Sequence, residues 1–106
     1  MVENISVVYA DGLAKVVLSG RLDAASAPAL QERLKGLIGQ KVEKLVFFAE
    51  NLEYISSAGL RVIIFAKQKI GADSKVYLVG AQEAVLGVVR MSGLDNFMAI
   101  QREFVG

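Results

Sequence analysis

The chain has 106 residues, with 12 Lys and Arg against 11 Asp and Glu for a formal net charge of +1, and it contains neither cysteine nor histidine. Its length fits one domain spanning residues 1–106, and its composition excludes disulfides, thiolate or imidazole metal ligands and a Ser-His-Asp relay built from this chain alone. The basic residues are scattered and no apolar run reaches the ~18 residues of a membrane span, so we expect neither direct nucleic-acid binding nor a transmembrane helix.

Two short strands joined by a tight turn are predicted at the start of the chain. Ile5 to Tyr9 and Leu13 to Leu18 are rich in β-branched and apolar residues, and Ala10-Asp11-Gly12 separates them. Asp-Gly favours a tight turn because glycine accepts the positive φ that such turns require. These residues therefore predict a β-hairpin that contributes an antiparallel edge.

A first helix is predicted after a turn at Gly20-Arg21-Leu22-Asp23. Ser26 followed by Pro28 is typical of a cap and first helical turn, where the missing N–H of proline costs nothing. Gly39 marks the expected end of this helix. The apolar residues expected to share its buried face are Leu30, Leu34, Leu37 and Ile38.

A buried strand and a second helix are predicted in the middle of the chain. Leu45 to Ala49 is a continuous apolar run, which is typical of a strand covered on both faces. Glu50 to Ile55 is expected to form a loop, and a helix should run from about Ser57 to Ile70. The apolar stripe expected along that helix consists of Leu60, Ile63, Ile64 and Ile70.

The last third of the chain predicts a strand, a helix and a strand, over Lys75 to Val79, Ala81 to Met91 and Phe97 to Gln101. The resulting order is β-β-α-β-α-β-α-β. Strands joined through helices are usually parallel neighbours. We therefore expect an α/β fold in a single domain, with a mixed β-sheet packed by helices.

The serine pair Ser56-Ser57 is expected at the N-terminus of the second helix. Backbone N–H groups are unpaired there and the helix dipole favours negative charge, so a phosphate on either hydroxyl would be tolerated. On local sequence alone, the simpler interpretation is a serine that caps the helix and a glycine, Gly59, that lets it pack closely.

Functional loops in α/β sheets gather beyond the carboxyl ends of the strands. Four features are candidates for one end of the sheet, and all but the first of them clearly fit this rule. They are the Gly20 to Asp23 turn, the Glu50 to Ile55 loop, the serine pair and the Ala81 to Glu83 helix start.

Three motifs together resemble the STAS domain family, especially the bacterial anti-sigma factor antagonists. They are Gly20-Arg21-Leu22-Asp23, the stretch Glu50 to Leu60, and Met91-Ser92-Gly93-Leu94, and their order and spacing match the family over nearly the whole chain. The resemblance implies a single STAS-like domain, and it identifies Ser57, two residues before the Gly-Leu pair, as the phosphorylated serine. The partner-binding residues it implies are Asp23, Asn51, Tyr54, Ser56, Ala58, Gly59 and Arg61.

The resemblance also implies a switch between partners. In that family the unphosphorylated antagonist binds an anti-sigma factor that is also its serine kinase, and this frees the sigma factor. Phosphorylation ends the binding, and a PP2C-type phosphatase removes the phosphate. The expected protein is thus a cytoplasmic regulator without a cofactor, not an enzyme, and a monomer or weak homodimer.

Two positions depart from the family's pattern. Family members regulated by kinases usually carry aspartate immediately before the phosphorylated serine and in the preceding loop, where this chain has Ser56 and Asn51. The lost carboxylates leave Ser56 as an alternative phosphoacceptor. They also motivate a second hypothesis, a non-switching STAS adaptor or scaffold subunit in a stress-signalling or lipid-transport complex. The alternative role of Asp23 is that of a turn or helix-capping residue.

Overall fold

The computed structural model describes residues 5–72 and 74–104. The strands are β1 (Ile5–Ala10), β2 (Leu13–Leu22), β3 (Lys44–Ile55), β4 (Lys75–Val79) and β5 (Ala99–Gln101). The helices are α1 (Ala27–Lys35), α2 (Ser57–Lys69) and α3 (Glu83–Ser92), with a short 3₁₀ helix, Leu94–Phe97, before β5. The predicted order of strands and α-helices is confirmed.

The five strands form one mixed sheet in the order β1-β2-β3-β4-β5. β1 and β2 are antiparallel, and each later pair of neighbours is parallel. Asp11 and Gly12, with φ of 50° and 81°, connect β1 to β2 in the left-handed conformations of a two-residue hairpin turn. The predicted hairpin and the α/β fold with a mixed sheet are both confirmed.

The two faces of the sheet are covered by different parts of the chain. Side chains alternate along a strand, so Phe47 and Val46 point to opposite faces. Phe47 belongs to the main core, which includes buried residues of all three helices. Val46 belongs to a smaller cluster with Tyr77 and Val79, against which Phe104 packs from the C-terminal segment. The helices therefore cover one face, and Phe104 covers part of the other.

β2 and β3 extend further than predicted at their carboxyl ends. Their pairing continues to Leu22 and Ile55, so most of the predicted turn and all of the predicted loop are strand. The register shifts between Val17 and Ser19 and again between Gly20 and Arg21. Each shift places one extra residue in β3, and such bulges break the period of two on which strand prediction depends.

The helix boundaries differ from the predicted ones by a few residues. α1 ends at Lys35, so Ile38 lies beyond it and is 47% exposed rather than buried on the helix. Ser26 occupies the N-cap position of α1 but makes no side-chain capping bond. α2 ends within a residue of its predicted end, and Ile64 from the predicted apolar stripe is 37% exposed.

The third motif has a structural role at the end of α3. Gly93 adopts φ 79° and ψ 3°, the left-handed conformation that ends a helix, and its N–H donates to the carbonyl of Arg90 at 3.1 Å. The chain then coils into the 3₁₀ helix, which buries Leu94 in the core. This insertion delays the last strand, which begins at Ala99 instead of Phe97.

Candidate functional site

The parallel pairing of β2 with β3 brings Asp23 and the serine pair together. The two strands remain paired to Leu22 and Ile55, their last residues, and the Ser56 N–H donates to the carbonyl of Leu22 at 2.9 Å. The turn after β2 and the start of α2 therefore form one surface at the carboxyl ends of these strands. We call the surface around Asp23, Tyr54 and Ser57 the serine site.

The start of α3 does not join the serine site. Pairing between β3 and β4 ends at Phe48 and Val79, and the Gln82 side chain donates to the carbonyl of Glu50 at 2.9 Å. Glu50 precedes Ser56 by six residues of extended chain, roughly 20 Å at the usual rise of a strand. β3 thus carries the serine pair well beyond the end of β4.

Ser56 is committed to the backbone of α2. Its φ of −97° and ψ of 175° are those of an N-cap residue, and its Oγ accepts a hydrogen bond from the Gly59 N–H at 3.3 Å. Its carbonyl accepts the first helical hydrogen bond, from the Leu60 N–H at 3.0 Å. The capping role predicted for one of the two serines therefore belongs to Ser56, which is half-buried.

Ser57 is exposed at the first position of α2. Across residues 5–72 and 74–104 no protein group is hydrogen-bonded to its hydroxyl. The positive end of the helix dipole lies beside it. An enzyme acting on this surface would meet the Ser57 hydroxyl in solvent, whereas the neighbouring hydroxyl is occupied as a cap.

Gly59 is buried and brings α2 close to the end of β2. A Cβ atom at this position would lie 2.8 Å from the carbonyl oxygen of Leu22, 2.8 Å from its Cγ and 2.9 Å from Cγ1 of Ile55. Real Cβ contacts are not that short, so only glycine fits without movement of the backbone or of buried side chains. Gly59 thus positions the serine pair but offers no side chain to a partner.

Asp23 closes the turn after β2. Its Oδ1 accepts hydrogen bonds from the Ala25 N–H at 3.0 Å and the Ser26 N–H at 3.2 Å. These backbone donors, first that of Ser26, hold the pKa of Asp23 below its usual range, and the Arg21 charge adds to the effect. The predicted turn role of Asp23 is confirmed, and the carboxylate is ionised at neutral pH.

Arg21 was not predicted as a site residue, yet it links Asp23 to Tyr54. Its guanidinium carbon lies 4.2 Å from the centroid of the Tyr54 ring, and its Nε lies 3.6 Å from Oδ2 of Asp23. Arg21 and Tyr54 are register partners on β2 and β3. The motif that contains Arg21 can be recognised in the sequence. The contact between Arg21 and Tyr54 cannot, because the two bulges shift the register that brings these residues opposite each other.

The bulges in β3 determine which of its residues are exposed. At the first bulge two consecutive residues, Glu50 and Asn51, are exposed. At the second bulge, which follows the buried Leu52, Glu53 and Tyr54 are both exposed. Regular alternation would bury one of each pair. Asn51 and Tyr54, both predicted for the partner surface, therefore reach solvent from within a strand rather than from a loop.

An open groove of about 440 Å³ runs between α1 and α2 beside the serine site. Ala58, Arg61 and Val62 line it from α2, and Arg61 is exposed. Pro28, Gln31 and Glu32 are among the residues that line it from α1. Two of the predicted partner-binding residues, Ala58 and Arg61, thus lie next to a concave surface with both acidic and basic side chains on its walls.

Neither metal ligands nor a spanning helix are found in the part of the chain that the structure describes. Within that part no group of three or more Asp, Glu, His or Cys side chains is placed to hold a metal ion. None of its helices is long and apolar enough to cross a membrane.

Comparison with known proteins gives consistent matches. The family described as "STAS domain" matches residues 4–104. The anti-sigma-F factor antagonist RsfB of Mycobacterium tuberculosis is 27% identical over 96 residues, which cover 89% of this chain and 79% of the relative.

Solved structures resemble the fold along most of its length. An anti-sigma factor antagonist from Mycobacterium paratuberculosis has a TM-score of 0.83 at 24% identity, covering 94% of this chain and 86% of that one. The Bacillus cell fate determinant SpoIIAA in its phosphorylated form has a TM-score of 0.72 at 19% identity, and the match covers 93% of this chain and 92% of that one. At these identities the structural likeness establishes the fold.

Proposed function

This chain belongs to the STAS domain family, and from that membership we propose that it is an anti-sigma factor antagonist that regulates sigma-factor-dependent transcription by switching partners. The relative from Mycobacterium tuberculosis, an antagonist of an anti-sigma-F factor, supports this role. In the proposal the chain is a cytoplasmic regulator and not an enzyme.

The proposed partner is an anti-sigma factor that is also a serine kinase. It binds the serine site and the adjoining wall of the α1–α2 groove in the unphosphorylated state. The contacts proposed for it come from Asp23, Asn51, Tyr54, Ser56, Ala58 and Arg61, with Gly59 setting the position of α2 beneath them. Arg21 joins this set because it contacts both Tyr54 and Asp23.

The observation that carries the proposal is the difference between the two serines. Ser57 is exposed at the start of α2, whereas the Ser56 hydroxyl accepts the Gly59 N–H. A kinase can therefore take Ser57 as its substrate without removing the helix cap. Ser57 is the proposed phosphoacceptor, Ser56 is the alternative, and a PP2C-type phosphatase would restore the hydroxyl.

Charge in the interface explains how phosphorylation would end binding. A phosphate adds about −1.5 to −2 charges at neutral pH. At the N-terminus of α2 that charge is compatible with the helix dipole, so the antagonist need not refold. In the complex the same charge would have to be desolvated against the partner, and a loss of about 3 kcal/mol would weaken binding roughly a hundredfold.

Intact-mass measurement after incubation with ATP and the cognate kinase tests the acceptor. Wild type and Ser56→Ala should gain one phosphate, and Ser57→Ala should gain none. Phosphate on the Ser57→Ala protein, but not on Ser56→Ala, would move the acceptor to Ser56. If wild type gained no phosphate and bound the kinase in no state, the proposed function would be wrong.

Two substitutions at Ser57 separate charge from shape. Ser57→Asp should weaken the complex at least tenfold in a calorimetric titration, because it places a carboxylate in the interface. Asparagine has nearly the same shape as aspartate but no charge, so the Ser57→Asn protein should bind the partner with an affinity within a few-fold of wild type. Equal losses for both variants would show that bulk rather than charge controls binding.

The absence of carboxylates at Asn51 and Ser56 favours a second candidate, a STAS adaptor that does not switch. It would act in a stress-signalling assembly or a lipid-transport complex. This candidate predicts that Ser57 remains unmodified in cells and that Ser57→Asp binds its partners as wild type does. Mass spectrometry of the protein purified from its own cells, together with the partners recovered alongside it, distinguishes the two.

A further inference from the structure

β1 is an edge strand that lacks the features by which proteins usually protect such edges. Among the described residues, no strand pairs with its outer side. Its six residues, Ile5–Ala10, include no charged residue, proline or glycine, and all six pair with β2 in an unbroken register. Edge strands in natural proteins are usually very short, or are interrupted by lysine, proline or a bulge.

The opposite edge of the sheet is protected. β5 has only three residues, Ala99–Gln101, and so offers little backbone to another strand. The lack of protection is therefore a property of β1 in particular and not of the sheet as a whole.

Exposed apolar side chains lie beside the open edge. Val8 on β1 is 57% exposed and Val17 on β2 is 43% exposed. Both point to the face opposite the helices, since their neighbours Val7 and Val16 pack in or against the main core. The nearest charge on that face is Lys15, the register partner of Val8.

We propose that β1 pairs with β1 of a second copy of this chain, so that two five-stranded sheets join into one. A two-fold axis normal to the sheet makes the two strands antiparallel and places residues of the same face opposite each other. Ser6 and Val8 of one copy then lie opposite Ser6 and Val8 of the other copy. Because Ile5–Ala10 contains no charged residue, self-pairing brings no like charges together within the strand.

The geometry around the proposed contact allows it. With strands about 4.8 Å apart, the Lys15 side chains on the two β2 strands lie about 14 Å apart, beyond the Debye length of about 8 Å at physiological ionic strength. β1 is also separated from β3 by β2, so both copies of Ser57 stay accessible. Because pairing of one short strand buries little area, the dimer should be weak and concentration-dependent.

Sedimentation velocity over about a hundredfold range of concentration tests the proposal, with two matched variants. Wild type should shift from monomer toward dimer as the concentration rises. Val8→Glu should remain monomeric, because it places a charge at the contact, while its carboxylate can still pair with Lys15 within the monomer. Val17→Glu makes the same change on β2, away from the edge, and its dimer dissociation constant should stay within about threefold of the wild-type value.

Three results would overturn the proposal. They are a monomeric wild type over the whole range, a Val8→Glu protein that still forms dimers, and a Val17→Glu protein that loses association together with Val8→Glu. The last result would mean that the open face, and not the edge, makes the contact. Hydrogen exchange gives a separate test, because the amides of Ile5–Ala10 should become more protected as the concentration rises. These outcomes do not depend on kinase binding.

Discussion

The serine site depends on single residues whose neighbours in sequence have different roles. Ser56 caps α2 while Ser57, one position later, is exposed. Gly59 is buried against the end of β2, whereas Ala58 beside it lines the groove. The sequence motif identified this stretch, but the assignment of each role required the distances to Leu22 and to the helix backbone.

Gly59→Ala tests the close approach of α2 to β2. Alanine forms helix more readily than glycine by about 1 kcal/mol, yet its Cβ would collide with the backbone of Leu22. We expect a net loss of about 1–3 kcal/mol in the free energy of unfolding, measured by urea denaturation.

Gly87 in α3 is the matched control, because nothing lies within 4 Å of the Cβ that alanine would add there. Gly87→Ala should raise the free energy of unfolding by about 0.5–1 kcal/mol. If the two variants changed stability in the same direction, the contact at Gly59 would not be what requires glycine.

At the scale of elements, β3 and α2 together create the site. Pairing with β2 continues β3 past the end of β4, and the two bulges in β3 expose Asn51 and Tyr54. α2 then begins directly after the strand, with a serine as its cap. Continued pairing with β2 holds these residues in a strand, whereas a strand of the predicted length would have left them in a loop.

Ser56→Ala should destabilise the protein because it removes the cap of α2. Loss of a serine N-cap typically costs about 1 kcal/mol, and the 3.3 Å bond to the Gly59 N–H is long enough to place the effect toward the lower end of the usual range. Ser57→Ala should change the free energy of unfolding by less than about 0.5 kcal/mol. Thermal unfolding of both variants measures the two effects. A larger loss of stability for Ser57→Ala than for Ser56→Ala would contradict the assignment of the cap to Ser56.

In the molecule as a whole, the helices cover one face of the sheet and Phe104 covers part of the other. Phe104 makes edge-on contacts with Phe48 and Tyr77, with ring centroids 6.1 and 5.4 Å apart. Its contacts help to bury Val46 and Val79, which are 0% and 1% exposed. The last described residue of the chain is thus part of a second, smaller core.

Phe104→Ala should lower the free energy of unfolding by about 1–2 kcal/mol, less than the 3–5 kcal/mol typical of a fully buried phenylalanine, because Phe104 is only half-buried. Phe97→Ala is the control, since Phe97 is 62% exposed and should tolerate the change within about 0.5 kcal/mol. Urea denaturation of both variants measures the difference. Equal effects would mean that Phe104 contributes no more than an exposed ring.

Features that depend on neighbouring residues could be predicted from the sequence. Asp11-Gly12 specified the hairpin turn, apolar periodicity specified three helices in the right order, and three short motifs were sufficient to identify the family. These features follow from backbone preferences and from the spacing of apolar residues, and both are written locally in the chain.

Contacts between distant residues could not be predicted from the sequence and became visible in the fold. The extension of β2 and β3, the contact of Arg21 with Tyr54, and the packing of Phe104 on the open face each join positions far apart in the chain. They depend on register, and a bulge of one residue changes every pairing beyond it. Such contacts are set by the balance of packing over the whole sheet, which no local pattern in the sequence encodes.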